Sequence, residues 1–551
     1  LYAVARPFFV SSEGGKALGL LGLLVVLSLS INGLNIISSY LNRDMMTVLA
    51  DGKPTRFFLL ALQCAGIVGI ITVVAVFFRF IEERFALYWR QWLTDYFLHE
   101  YLGNRAYCRL NEQPDIDNPD QRITEDIRTF TATTLSFFLI ILNSVVAFIG
   151  FASILWSITP WLVYGAMAYA AIGSIITFLL GYRLVHLNFL QLKKEADLRY
   201  DLIQIREHAD AVALNRGESK ELTRVQKGLA IVVDNLKRII SVNRNLSFFT
   251  TGYNYWAQLV PIIIVAPIYL DGNREFGVVT QAASAFVFVL GAFSLIITEF
   301  QRLSSFVAIV SRLDSLNEAM LKRPIAHRPT IEIVDRNESI SYENLTILGP
   351  ENEAPLILNL NLEISPGRRL VILGPNRVGK SLLVNATAGI WTAGKGRIKR
   401  PQQEQLMFLP QHPYLKRGSL RSVLTYPCVN NNIEDQLLVS VLNIVQLGSF
   451  LNRVGGLDAD QDWSTRVSTS ESQLLSIAQL LIAKPQFAFL DEAISTLVPE
   501  VRQIIYKALH KSSITYISTT NDPALLPFHD QILELKRDGL WTVRSIASSN
   551  H

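Results

Sequence analysis

Cysteine is scarce in this chain. Its 551 residues include three, Cys64, Cys108 and Cys428. They lie too far apart for a disulfide framework or a spaced set of metal ligands, and Cys64 sits in an apolar run as a packed small residue. Charge is scarce as well. Only 18% of residues are Asp, Glu, Lys or Arg, and the net charge is a modest +4 at pH 7. No basic stripe stands out, which argues against nucleic acid as a partner. What abounds is apolar: half the residues are hydrophobic and 10% aromatic, with a mean hydropathy of +0.27. A soluble chain of this size is more polar, so membrane lipid is an expected partner. The length allows two or three domains. The chain starts at Leu1 rather than Met, which leaves room for an earlier natural start and a processed targeting segment.

A bilayer core needs about 20 consecutive apolar residues per helix. Six segments qualify: Ala17–Tyr40, Phe57–Phe80, Leu135–Ile158, Trp161–Leu180, Phe248–Leu270 and Ala282–Leu303. The links Leu41–Arg56, Thr159–Pro160 and Asp271–Gly277 are short. The links Ile81–Thr134 and Gly181–Ser247 are long, helical in pattern, and hold most of the Lys and Arg of this half. The positive-inside rule puts the long links, the N-terminus and everything after the sixth span in the cytoplasm. A soluble domain of unusually apolar helices is the bland alternative, and six runs of this length argue against it. Polar residues within the spans are few: Asn32, Asn35, Asn143, Gln258, Gln281 and Glu299. Each either lines a solute path or bonds one helix to another. Glu299 is the strongest functional candidate, because burying an ionised carboxylate costs most.

After about Lys322 the apolar runs shorten and strand and helix patterns alternate. The expected division is 1–322 for an α-helical membrane domain and 323–551 for an α/β nucleotide-binding domain. In the second half RRLVILG reads as a buried strand, followed by GPNRVGKS and a helix. Gly374, Pro375, Asn376, Arg377, Val378, Gly379, Lys380 and Ser381 form a phosphate-binding loop in its strand–loop–helix setting. Glycines let backbone N–H groups point inward at phosphate oxygens, and the helix start adds a positive partial charge. Lys380 can reach the β- and γ-phosphates, and the Ser381 hydroxyl can ligate Mg²⁺. Downstream, Phe487–Leu490 makes a strand ending in two acids. Asp491 is placed to support Mg²⁺ and Glu492 to polarise an attacking water. The bland reading, a buried strand capped by acids, leaves their company with a phosphate loop unexplained.

The order of phosphate loop, LPQHPYLKRGSLRSVLTYP, VSTSE and FAFLDEA resembles an ATP-binding cassette. Pro410–Leu415, Gly418–Arg421 and Tyr426–Pro427 resemble the branch of subfamily D half-transporters and their SbmA/BacA-like bacterial relatives. So do NPDQRITEDI (Asn118–Ile127), REHADAVALNRGE (Arg206–Glu218) and Gly277–Ser294. The resemblance spans nearly the whole chain. It implies a six-helix membrane domain of the type IV exporter kind, ATP and Mg²⁺ as cofactors, a second half-transporter as partner, and a transported small solute. It also implies that Leu382 follows the loop as a nucleotide contact. Gln411 becomes the glutamine that joins Mg²⁺ and nucleotide to the membrane domain, beside Ser381 and Asp491 as metal ligands. Asn118–Ile127 and Arg206–Glu218 become coupling segments.

The pattern also breaks. The family signature, Ser-x-Gly-Glu/Gln, faces the γ-phosphate bound by a partner subunit. Here Ser468 and Glu471 are kept, the glycine position is Ser470, and a usually basic position is Leu474. The loop that normally ends in Asp reads Ser495–Val498, and the switch histidine is Asn521, which can donate a hydrogen bond but carries no charge. No aromatic stands clearly where one usually stacks on adenine. These departures predict MgATP binding with slow hydrolysis by a homodimer, moderated by a better-equipped partner half. Two functions compete. One is an ATP-driven half-transporter for cobalamin, a peptide-like hydrophilic solute, or fatty acid and acyl-CoA. The alternative is an ion-gradient-driven transporter or channel with a structural or regulatory cassette, motivated by Glu299 and the drifted motifs. A soluble ATPase or regulator is set against six spans. The expected location is a bacterial inner membrane before an organelle.

Overall fold

The structure is a computed structural model. It describes the chain except residues 112–115, 117, 273, 322–329, 336–337, 350–353, 428–432 and 547–551. The expected domain boundary and Cys428 therefore lie outside the described residues. Two compact units are present, Leu1–Arg323 and Pro324–His551.

The first unit is helical. Among the described residues six helices are long and apolar enough to cross a membrane: Gly14–Ala50, Pro54–Leu102, Pro119–Ile158, Pro160–Glu207, Glu218–Leu270 and the stretch Phe276–Phe293. The 53 residues of Glu218–Leu270 reach about 80 Å at 1.5 Å per residue, far more than a ~30 Å hydrocarbon layer. Much of the two long charged links is thus continuous helix running on from the spans. The apolar stretch of the second span is unburied within the unit. Leu62, Val73, Val76 and Phe77 face outward, as lipid-facing side chains must. Inside, Phe8 of the short helix Tyr2–Val10 stacks on Trp89 at 5.6 Å and meets Phe85 and Tyr88. A bent pair, Asp435–Ile444 and Gly448–Val454, passes the same apolarity test. Its Leu438, Val441, Leu442 and Phe450 are buried in the core of the second unit, so it is a core element rather than a span.

The intramembrane polar groups divide. Asn32 is buried and donates to Ser28 O at 2.9 Å and to Asn143 Oδ1, on which Ser28 Oγ also converges. This cluster bonds helix to helix. Gln281 is buried 3.5 Å from Ser39 Oγ, Asn35 is half-buried, and Gln258 is exposed. The sixth span begins and ends earlier than Ala282–Leu303. Its helix, Phe276–Thr298, is interrupted at Glu299 and a second helix, Phe300–Leu321, follows. Glu299 lies at this break, 3.2 Å from Arg302.

Asn118–Ile127 forms one helical turn, Pro119–Gln121, and one π turn, Arg122–Asp126. Buried Asp126 receives two bonds from Arg312, at 2.8 and 2.6 Å, and buried Arg122 donates to Arg312 O at 3.0 Å. The segment is thereby fastened to helix Phe300–Leu321. Residues 206–218 form the exposed tip between two long helices, with one short helix, Ala209–Leu214.

The second unit is built on a six-stranded sheet. Its order is Trp541–Ser545, Gln531–Leu535, Leu370–Leu373, Thr515–Thr519, Phe487–Asp491 and Leu406–Leu409. All neighbours are parallel except the first pair. Strands buried on both faces read as unbroken apolar runs, and Phe487–Leu490 is at most 2% exposed. A second sheet orders Glu332–Asp335, Gly394–Arg400, Ile340–Leu348 and Pro355–Ile364. Because five strands of the large sheet run one way, the segments after Leu373, Leu409, Asp491 and Thr519 leave from the same edge. Open α/β sheets bind ligands at that edge.

Candidate functional site

The loop Gly374–Gly379 joins strand Leu370–Leu373 to helix Lys380–Thr387. Two glycines are sterically required. Gly374 has φ +152°, and a Cβ there would lie 2.7 Å from Leu535 O and 2.9 Å from Val378 Cγ2. Gly379 has φ +101° and begins the helix with no side chain on its N–H groups. Pro375, Asn376 and Arg377 are exposed, Val378 and Lys380 buried, and Ser381 exposed at the helix start. Leu382 packs against the core, so any nucleotide contact it makes goes through its backbone.

Lys380 Nζ donates to Gly374 O and to Asn521 Oδ1, both at 2.8 Å, and lies 4.0 Å from Glu492 Oε1. Burial holds its pKa below the ordinary lysine value, against the pull of Glu492 and Asp491. An ammonium offers three donors, and two are directed here. Asn521 turns its Nδ2 toward Asn376 Oδ1 at 3.4 Å, so both ends of its amide meet the loop. At the end of the neighbouring strand Asp491 Oδ1 accepts from Thr519 Oγ1 at 2.6 Å, and Glu492 N donates to the same hydroxyl at 3.1 Å. Glu492 has φ +52°, a left-handed backbone that non-glycine residues adopt at a cost and that recurs at functional sites. A cavity of about 260 Å³ lies behind it, lined among others by Ser495, Arg502, Asn521 and Asp522.

The residues fit a magnesium nucleotide. Gly374 and Gly379 sit where a Cβ would crowd the loop, and a lysine, a serine hydroxyl and two acids gather around it. Mg²⁺ is held by one or two carboxylates together with phosphate oxygens, and Asp491 is the carboxylate at the end of the neighbouring strand.

The other expected residues have their hydrogen-bond partners outside the phosphate loop. Ser468 caps helix Thr469–Ala483 in a capping box: its Oγ accepts from Glu471 N at 3.2 Å, and Glu471 Oε2 accepts from Ser468 N at 2.8 Å. Burial raises the Glu471 carboxyl, yet bonds from Ser468 and Arg453 outweigh it and hold the pKa below the usual value. Ser470 Oγ lies 3.5 Å from Thr496 O and Oγ1. Among the described residues the hydrogen bonds of Ser468 and Ser470 do not reach the phosphate loop. Leu474 is buried in the core. Gln411 is held by its carbonyl, which accepts from Gln473 Nε2 at 3.1 Å.

Gln473 is a residue that motif reading passed over. It is fully buried, and its Oε1 accepts from Thr496 Oγ1 at 2.8 Å and from Thr496 N at 3.3 Å. It therefore joins the segments of Gln411, Ser470 and Thr496. Two amides, Gln473 and Gln479, among the apolar residues of a buried helix were the available signal.

Comparison with known proteins agrees with this arrangement. The family described as ABC transporter transmembrane region 2 matches residues 5–270, and the family described as ABC transporter matches residues 357–495. An uncharacterised ABC transporter ATP-binding protein of Synechocystis sp. is 38% identical, covering 96% of this chain and 81% of that protein. The chloroplastic ABC transporter D family member 2 of Arabidopsis thaliana is 35% identical over 97% of this chain and 85% of its own length. The lysosomal cobalamin transporter ABCD4 of Homo sapiens is 26% identical over 91% and 88%. A bacterial Atm1-family ABC exporter solved with ATP bound shares the fold, with a TM-score of 0.73 at 15% identity, over 97% of this chain and 96% of that one.

Proposed function

The chain belongs to the ATP-binding cassette transporters, as a half-subunit of the subfamily D type, and from that premise we propose that it binds MgATP in the Gly374–Ser381 loop and, paired with a second half-subunit, carries a small hydrophilic solute across a membrane. The observation that carries the reading is Lys380, buried at the helix start with its ammonium held between Gly374 and Asn521 beside Glu492. Lys380 and the loop amides would orient the phosphates. Ser381, Asp491 and Gln411 would hold Mg²⁺, whose charge, when bound, neutralises the β- and γ-oxygens. Glu492 would polarise the attacking water.

Hydrolysis by two identical chains is slow in this reading. Ser470 and Asn521 stand where glycine and histidine are usual, and neutral contacts are roughly half as strong as charge-assisted ones. A better-equipped partner half would moderate the fault without removing it. Among solutes, cobalamin and peptide-like compounds are favoured over acyl-CoA. The cobalamin-transporting relative supports this, as does the resemblance of the coupling segments to bacterial ones. A bacterial inner membrane is the favoured location, ahead of an organelle. Glu299, which suggested ion-gradient coupling, has Arg302 as its charge partner, and that reading is set aside.

The test is uptake into proteoliposomes of cobalamin, a short peptide and an acyl-CoA, with and without ATP. ATP-dependent uptake of a hydrophilic solute, lost in Lys380→Ala, is expected. Equal uptake by the variant, or collapse under a protonophore with ATP maintained, would overturn the reading.

A further inference from the structure

Arg502 belongs to none of the motifs. It sits near the start of helix Pro499–Lys511 with its side chain 20% exposed. Its Nε donates to Leu497 O at 2.6 Å, its Nη2 to Ser495 O at 3.3 Å, and its Nη1 to Asp522 Oδ2 at 2.6 Å. Two acceptors thus lie in the 495–498 stretch, and the third is the residue next to Asn521. Asp522 is pinned from its other side. Its Oδ1 accepts from Ala524 N at 3.0 Å, and its own N–H donates to Thr520 Oγ1 at 3.0 Å. Asn521 leaves this clamp with its Oδ1 on Lys380. Glu492, Ser495, Asn521 and Asp522 line, with Arg502, the cavity of about 260 Å³. The guanidinium bridges it. Three acceptors on two segments suit a planar fork, and a lysine's point charge could not reproduce it.

We propose that Arg502 is a positioning residue for nucleotide handling: by tying 495–498 to Asp522, it holds the Asn521 amide where its oxygen orients the Lys380 ammonium. The proposal rests on the reading of Gly374–Ser381 as the nucleotide loop. With Gly374 O and Asn521 Oδ1 taking two donors of Lys380, the third is directed to a phosphate oxygen. Arg502 thereby connects the 495–498 loop to the phosphate-reaching lysine of its own chain.

The experiment titrates the detergent-solubilised full chain with a fluorescent MgATP analogue, comparing wild type, Arg502→Ala, Arg502→Lys, Asn521→Ala and the double variant Arg502→Ala/Asn521→Ala. Arg502→Ala and Asn521→Ala should each weaken binding about five-fold, the effect of one hydrogen bond. Arg502→Lys should fail to restore it. The double variant should stay within about two-fold of Asn521→Ala alone, because residues acting through one another are not additive. A purely structural role predicts independent losses that multiply, and that result overturns the proposal, as does unchanged binding in Arg502→Ala. Should Arg502→Ala not fold, Asp522→Asn, alone and with Asn521→Ala, gives the same readout. Absence of saturable binding in wild type defeats the nucleotide-loop reading and this proposal together. Binding in wild type with an indifferent Arg502 defeats only the latter.

Discussion

Two helices of the second unit begin in opposite ways. Lys380–Thr387 starts from Gly379 and places no side chain on its first N–H groups. Thr469–Ala483 starts from Ser468 and closes on itself, with Ser468 and Glu471 each taking the other's N–H, and Arg453 also bonds Glu471. The first four N–H groups of any helix lack intrahelical partners. In the phosphate loop no side chain takes them. In the signature segment a resident carboxylate already answers part of that need, and an incoming phosphate would meet its negative charge. One chain therefore holds an uncapped helix start and a capped one.

Acid is the obvious way to open the sealed start, and it strikes another residue first. His529 is buried, its Nδ1 on Leu525 O and its Nε2 on Ser518 Oγ, and burial lowers its pKa from 6.5 to about 4. The unfolded chain takes up the proton from pH 6.5 downward and the folded chain only near 4. Stability is whole above pH 6.5 and falls through that window, by about 3 kcal/mol at its lower end. Thermal unfolding of the second unit at pH 7 and 5 should show the loss, and His529→Gln should flatten it. In that background Glu471 becomes readable. Its depressed pKa makes the box's contribution complete above the ordinary 4.5 and lost as pH drops below it.

A smaller effect bears on the comparison more directly. Ser470→Gly restores close backbone approach at the sealed start, and steady-state ATPase should rise about five-fold, the effect of one regained hydrogen bond in the transition state. No change would mean that the box, rather than the Ser470 side chain, limits turnover. Smallest is Ser468→Ala. Losing the cap should cost about 1 kcal/mol, seen as a lower unfolding midpoint, whereas the open start has no cap to lose.

Much of the architecture was readable from local pattern. Six apolar runs gave six helices, and RRLVILG–GPNRVGKS gave strand, loop and helix, because hydropathy and glycine spacing act within a few residues. The end of the sixth span was misjudged: the segment was carried past Glu299 to Leu303, but the helix ends at Thr298. Asn32 looked equally suited to a solute path or to helix packing until Asn143, 111 residues away, proved to be its partner. Gln473 and Arg502 carried no motif, since their roles depend on carbonyls and carboxylates brought close by folding.

The order of residues alone determined that the chain spans a bilayer and carries a phosphate loop, because apolar run length and the backbone freedom of glycine are local quantities. Only the tertiary structure decided which partners the polar groups find: Gly374 and Asn521 for Lys380, Ser468 and Arg453 for Glu471, Arg302 for Glu299. Hydrogen bonds and ion pairs need two partners within a few ångströms, and in a folded chain most such partners come from different turns, strands or helices.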